Sequence, residues 1–333
     1  MRTFLLSVFS IPLVTFFPQH EPAQQTPGIQ ITEWTVPWEK SRPRDPYIDP
    51  NGRAWFVGQT GNYVANLDPA SGKFERIEIE PGTYPHNLIV DRTGNVWYAG
   101  NRNGRIGRID AVTRKITTYM MPDSAVRDPH TLVFDGAGDI WFTAQRANYI
   151  GHLATKTGKI RVARVGTANS LPYGIIVAAR GTPWFVQFGS NRLSSVDPVT
   201  MRVTEHELPS AGTRSRRLVE TSDGAIWYAD YTRGVVARFD RANGTVREWP
   251  APSGAKSLPY AMAVDDRDRI WMVETGVQPN RLVGFDTKNQ SWIANTPIAE
   301  SGGLSVRHMV FHQPTRTLWF GTDANTIARA KLP

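Results

Sequence analysis

The chain has 333 residues, 40% hydrophobic and 11% aromatic, enough apolar material for one large core or two domains, and this excludes a disordered or fibrous protein. It contains no cysteine, which rules out disulfides, thiolate metal sites and a cysteine nucleophile. The net charge of +8 is scattered, with no basic run beyond Arg214-Ser215-Arg216-Arg217, so it reads mainly as solvated strand faces with a slight bias toward anionic partners.

Residues 1–27 are expected to be a signal peptide and polar linker. Arg2 precedes an apolar run from Phe4 to Phe17, the length of a secretory core and short for a bilayer span. A Pro/Gln-rich stretch follows to Pro27, without a clear small-x-small cleavage site. An uncleaved N-terminal anchor is the other reading of this segment. Nothing later is apolar enough to cross a membrane. The expected location of the mature chain, 28–333, is therefore the periplasm or the exterior.

The mature region is a repeat. Trp55, Trp97, Trp141, Trp184, Trp227, Trp271 and Trp319 are spaced 42, 44, 43, 43, 44 and 48 residues apart. Each closes the same phrase, as in Pro85-His-Asn-Leu-Ile-Val-Asp-Arg-Thr-Gly-Asn-Val-Trp97 and Pro129-His-Thr-Leu-Val-Phe-Asp-Gly-Ala-Gly-Asp-Ile-Trp141. Other copies open at Pro43, Pro172, Ser215, Pro259 and Arg307, twelve residues before the tryptophan. Within a copy, a short alternating run such as Leu88–Val90 predicts a half-buried strand, an Asp/Gly/Asn turn follows, and Trp opens a second strand. Arg105-Ile-Gly-Arg-Ile109 predicts a third strand and Ile116-Thr-Thr-Tyr119 a fourth. Seven such copies without helical periodicity predict an all-β, seven-bladed β-propeller of four-stranded blades. The last copy lacks its fourth strand, while Ile31-Thr-Glu-Trp34-Thr-Val-Pro37 matches Val246-Arg-Glu-Trp249-Pro. The N-terminal strand is therefore expected to complete the last blade and close the ring.

The repeated Pro-His/Tyr…Asp-Gly-x-Ile-Trp-Phe-Thr phrase, followed by an Ile-Gly-Arg-Ile-like strand, resembles the streptogramin B lyase (virginiamycin B lyase) family over about residues 30–333. That resemblance implies elimination rather than hydrolysis of a cyclic depsipeptide, with a Mg²⁺ ion and a histidine base at one mouth of the central channel. It also implies a small-molecule or peptide-like substrate; the charge would allow nucleic acid, but aromatic residues and bases do not cluster into a platform, so none is expected. The chain is expected to act as a monomer.

The residue after each opening proline recurs at one point of every blade. Around the ring these residues are Arg44, His86, His130, Tyr173, Arg216, Tyr260 and His308. All seven are polar, which suits a ligand cup or a water-filled polar plug better than a dry core. An elimination needs a base for the proton beside a carbonyl, and a donor or metal for the enolate-like charge. His308 is the candidate base, Arg44 the oxyanion donor, and Tyr260 a further catalytic residue. Tyr173, His86, His130 and Arg216 are the candidate substrate contacts. Three residues after each tryptophan lies a second expected layer, where Glu274 and Asp230 of neighbouring blades would share the Mg²⁺ if both turned inward. Otherwise each pairs with Arg216 or another nearby base. The family's histidine and glutamate share a blade at a spacing that here joins His308 to Thr322 and Tyr260 to Glu274, so each blade holds half of the pair. His20, His152, His206 and His312 read as structural or solvated. Two other functions remain open: a metal-dependent lactonase of the gluconolactonase type, using Glu274, Asp230 and Asn101, and a non-catalytic propeller that binds a ligand or protein at its mouth.

Overall fold

A computed structural model describes residues 28–298 and 300–333; the expected signal peptide lies outside the described residues. Seven four-stranded antiparallel sheets form the molecule. The second blade is typical: Pro85–Val90, Val96–Gly100, Arg105–Ile109 and Ile116–Met120 run from the axis outward. The innermost strand of each blade packs on those of its two neighbours, and Pro43–Ile48 of the first blade meets Val306–His312 of the last. No helix among the described residues is long and apolar enough to cross a membrane.

The recurring tryptophan and aspartate have a shared cause. The tryptophan packs between blades, and its indole N–H is buried and needs an acceptor. Asp49 accepts from Trp55 at 2.9 Å, Asp91 from Trp97 at 3.1 Å and Asp265 from Trp271 at 3.0 Å. In the fourth blade Ala178 stands at that position, and the Trp184 indole has no partner. The glycine of the Ile-Gly-Arg-Ile phrase is equally constrained. A Cβ on Gly107 would fall inside the Tyr98 ring, and one on Gly151 inside Phe142.

The expected clasp is present. Gln30–Thr35 pairs antiparallel with Thr326–Lys331, in register from Gln30 opposite Lys331 to Thr35 opposite Thr326. Trp34 stacks on Trp319 with centroids 5.7 Å apart, and Thr326 donates to Glu33 at 2.9 Å. Trp34→Ala removes a half-buried stack at the seam and is expected to cost about 2 kcal/mol. The check is the urea midpoint, and an unchanged midpoint means that the clasp adds no stability.

Every innermost hairpin carries a register shift at the same place, between the opening residue or its successor and the strand proper: Pro85/Leu88, Pro129/Leu132, Pro172/Ile175, Ser215/Arg217, Pro259/Met262, Val306/Met309 and Arg44/Tyr47. A bulge breaks the alternation of a strand and re-aims side chains. Two consecutive residues of each blade thereby contribute to the axis, where a regular strand would offer one.

The last blade differs from the expectation. Trp319 pairs with Val310, nine residues earlier, whereas Trp97 pairs with Ile89, eight earlier. The extra residue sits in the Gln313–Thr315 turn. The seventh copy therefore opens at Val306, not Arg307, and Arg307 takes the ring place assigned from sequence to His308.

Candidate functional site

The bulges build two tiers at the axis. The front tier is Arg44, His86, His130, Tyr173, Arg216, Tyr260 and Arg307; one residue deeper lie Asp45, Asn87, Thr131, Gly174, Arg217, Ala261 and His308. The structure thus brings six of the seven sequence-derived ring residues to one mouth and moves His308 a tier below.

The front tier is closely packed. The His86 and His130 rings lie 3.5 Å apart, and His130 lies 4.4 Å from Tyr173. Tyr173 and Tyr260 share a short hydroxyl–hydroxyl hydrogen bond, and Arg216 Nη1 donates to the Tyr260 hydroxyl at 3.1 Å. The Arg216 guanidinium is caged by aromatic rings, 3.8 Å from Phe188 and 4.3 Å from both Tyr231 and Tyr260. Opposite, Arg44 Nη1 donates to Gln59 at 3.0 Å, and Arg307 pairs with Asp323. Gln59, Phe188, Tyr231 and Asp323 each follow a tryptophan by four residues, so this position rims the mouth.

Beneath lies an ionic plate. Asp45, 1% exposed, meets Arg44 at 3.2 Å and Arg217 at 3.6 Å and accepts from Asn87 at 3.0 Å. Arg217 also donates to the Arg307 carbonyl at 3.2 Å and to Thr131 at 3.3 Å. Burial disfavours the Asp45 charge, but Arg44, His308 and Arg217 outweigh it and hold its carboxyl well below the usual range. Asp45→Asn leaves two buried guanidinium groups facing each other and is expected to cost about 3 kcal/mol, read as a drop in the urea midpoint; an unshifted midpoint excludes this role. Behind the plate, a cavity of about 340 Å³ runs toward the other mouth, with Arg217 and His308 at its polar end and Ile89, Phe134, Val264 and Phe311 on its wall.

Several polar atoms at the axis have no partner: Arg44 Nη2, Arg216 Nε, His86 Nδ1 and His308 Nδ1. Buried orphans of this kind mark where a ligand or water would bond. Burial first, then the arginines, keeps His86 and His130 neutral far below the usual histidine range, and pushes His308 down to about 3. Tyr173 titrates below an ordinary phenol: burial opposes this, but Arg216, Arg44 and Arg217 outweigh it. Tyr260 is raised, by burial and then by the charge that Tyr173 takes on.

The two expected metal ligands do not reach the axis. Glu274 is fully buried, accepting from Ser253 N–H at 2.9 Å and from its hydroxyl at 2.6 Å. Asp230, also fully buried, accepts from the backbone of Arg214 at 3.1 Å and Thr232 at 3.2 Å, and its second oxygen is 3.4 Å from Arg233. These oxygens are committed to separate loops, so the donor set does not fit a shared Mg²⁺. Opposite the start of the last blade, Thr322 bonds to Thr326 at 2.8 Å and supplies no carboxylate either. Arg307, Asp45 and Arg217 were missed from sequence, although doublets such as Arg44-Asp45 and Arg216-Arg217 ahead of an apolar run carried the signal.

Fold and site together define a seven-bladed propeller with a cation-rich, aromatic tier packed across one end of its axis and a cavity behind it. The Virginiamycin B lyase family model matches residues 92–332, and the chain belongs to that family. Virginiamycin B lyase from Staphylococcus aureus is similar with a TM-score of 0.83 at 21% identity, covering 92% of this chain and 100% of that one. A catalytically inactive variant of the same enzyme with quinupristin gives 0.82 at 22%, covering 92% and 100%. Kuenenia stuttgartiensis hydrazine synthase gives 0.74 at 15%, covering 89% and 97%. At these identities the structural likeness speaks for the fold. No curated protein matches the chain.

Proposed function

We propose that the chain is an exported carbon–oxygen lyase that opens an ester-linked, cyclic or peptide-like substrate by elimination at the front mouth, without a metal. The observation that carries this reading is the Tyr173–Tyr260 hydroxyl pair, bonded to Arg216 on the axis. The phenolate form of Tyr173, which Arg216 favours, removes the proton from the carbon beside the substrate carbonyl, and turnover follows the fraction in that form. Arg216 and Arg44 hold the developing enolate oxygen. The electron pair then forms the carbon–carbon double bond as the carbon–oxygen bond breaks, and the carboxylate leaves toward Arg307. No water is consumed. His86 and His130, both neutral, orient the substrate through hydrogen bonds. His308 does not serve as base here: it lies one tier deeper, and an imidazole pushed down to about 3 holds a proton poorly. Export is supported by the apolar run from Phe4 to Phe17.

The test uses quinupristin, the ligand of the Staphylococcus aureus relative, and a panel of cyclic ester-linked peptides. A linear product of unchanged mass, formed equally fast in EDTA, supports the reading. A product that has gained water, activity that EDTA removes and Mg²⁺ restores, or binding without turnover across the panel overturns it.

A further inference from the structure

The third blade carries a second cluster of metal-binding side chains, far from the front mouth and independent of its chemistry. Asp135 follows the innermost strand Pro129–Phe134, Asp139 closes the turn that it opens, and His152 stands opposite Trp141 on the third strand, Tyr149–Ala154. One ligand atom from each residue lies within 4.8 Å of the others. His152 Nε2 is 3.7 Å from Asp135 Oδ2 and 3.7 Å from Asp139 Oδ2. That is too long for a hydrogen bond, and it suits ligands that share one ion through bonds of about 2.0–2.2 Å.

Each carboxylate is fixed through its Oδ1, and Asp139 Oδ2 is left without a hydrogen bond among the described residues. Asp135 Oδ1 accepts from the Ala137 and Asp139 backbone at 2.9 and 3.0 Å, and Asp139 Oδ1 from Thr155 N–H at 2.8 Å. These bonds fix the direction of each Oδ2, as outer partners do around ligating groups. Asp135 Oδ2 accepts the Trp141 indole N–H at 3.3 Å, the bond that Asp49, Asp91 and Asp265 make in their blades, and keeps a lone pair for a second partner. His152 is 9% exposed, and its ring makes no hydrogen bond among the described residues.

The other blades show what is unusual here. At the equivalent places the first blade has Asp49, Arg53 and Asn66, with Arg53 donating to Asn66 at 2.9 Å. The second has Asp91, Asn95 and Arg108, and in the sixth Arg269 pairs with Asp265 at 2.6 Å. Each of these aspartate turns includes an arginine. The third blade has a second aspartate and an imidazole instead. Arg161, across the strand from His152, donates to the carbonyls of Pro198 and Val199 at 2.9 and 3.0 Å, so its N–H groups point elsewhere.

We propose that Asp135, Asp139 and His152 bind a first-row divalent transition-metal ion of the Zn²⁺ type, tying the inner turn of the third blade to its third strand. One imidazole with two carboxylates suits such an ion better than the all-oxygen preference of Mg²⁺ or Ca²⁺. Water completes the coordination.

The test is titration of untagged, EDTA-stripped protein with Co²⁺, followed by its visible absorption, then displacement by Zn²⁺. One Co²⁺ per chain is expected, displaced by Zn²⁺ and not by Mg²⁺. His152→Ala and the isosteric Asp139→Asn should each weaken binding about tenfold or more. Because the adjacent imidazoles at the front mouth are the competing place for such an ion, His86→Ala/His130→Ala serves as control and should leave the Co²⁺ spectrum unchanged. Wild-type protein that takes up no Co²⁺, or folded His152→Ala that binds it as wild type does, overturns the assignment and leaves a buried histidine between two aspartates.

Discussion

Tyr173→Phe is expected to lower turnover of an ester-linked substrate by roughly a hundredfold or more while leaving KM nearly unchanged, because the substitution removes a proton acceptor and keeps the ring. The pH profile separates this from a packing effect. Turnover of the wild type should rise with pH up to the lowered titration of Tyr173, and that limb should vanish in the phenylalanine variant. Arg216 is the largest of the charges that favour the ionised phenol. Arg216→Gln should therefore move the limb to higher pH as well as weakening the enolate contact. Tyr260→Phe removes the hydroxyl partner of Tyr173 and should move it in the same direction by less. A Tyr173→Phe enzyme with the wild-type profile would assign the base elsewhere at the mouth.

The architecture was legible because it is written seven times. The tryptophan period, the aspartate six residues earlier and the glycine under the aromatic ring each answer a local packing demand, and repetition lifts them above chance. The clasp was legible for the same reason, since Glu33-Trp34 repeats Glu248-Trp249. The site was legible only to one tier. Strand alternation predicts a single inward residue per blade, and a bulge that turns two residues to the axis leaves its trace only in doublets of polar residues. One extra residue in the Gln313–Thr315 turn sufficed to misplace His308, because the sequence count was anchored on the far side of that turn. The fate of Glu274 was not readable at all. Its partner Ser253 lies 21 residues earlier, in the connection that leads into its own blade, and no repeat marks that contact.

Acid is expected to unfold the propeller from its axis. In the unfolded chain each histidine takes a proton near its ordinary pKa. In the folded chain, burial and the arginines around the cup keep His86, His130 and His308 neutral well below it. As pH falls below about 6.5 the unfolded state thus binds three protons at these positions that the folded state refuses, and they alone lower stability by roughly 4 kcal/mol per pH unit once all three are protonated in the unfolded chain; His152, His206 and His312, also lowered by burial, add to the slope. The loss from His308 stops only near its folded value of about 3. Asp45 adds a later step: its folded pKa is depressed, so its contribution is intact above the ordinary carboxylate range and is lost as pH falls through that range and below. Urea midpoints measured from neutral pH to about pH 4.5 should show this slope. His308→Gln and His86→Gln should each take about 1.4 kcal/mol per pH unit off it, since each deletes one refused proton. Parallel slopes in variants and wild type would mean that these imidazoles are protonated in the fold, and that the cup is a solvated vestibule whose arginines are screened by water.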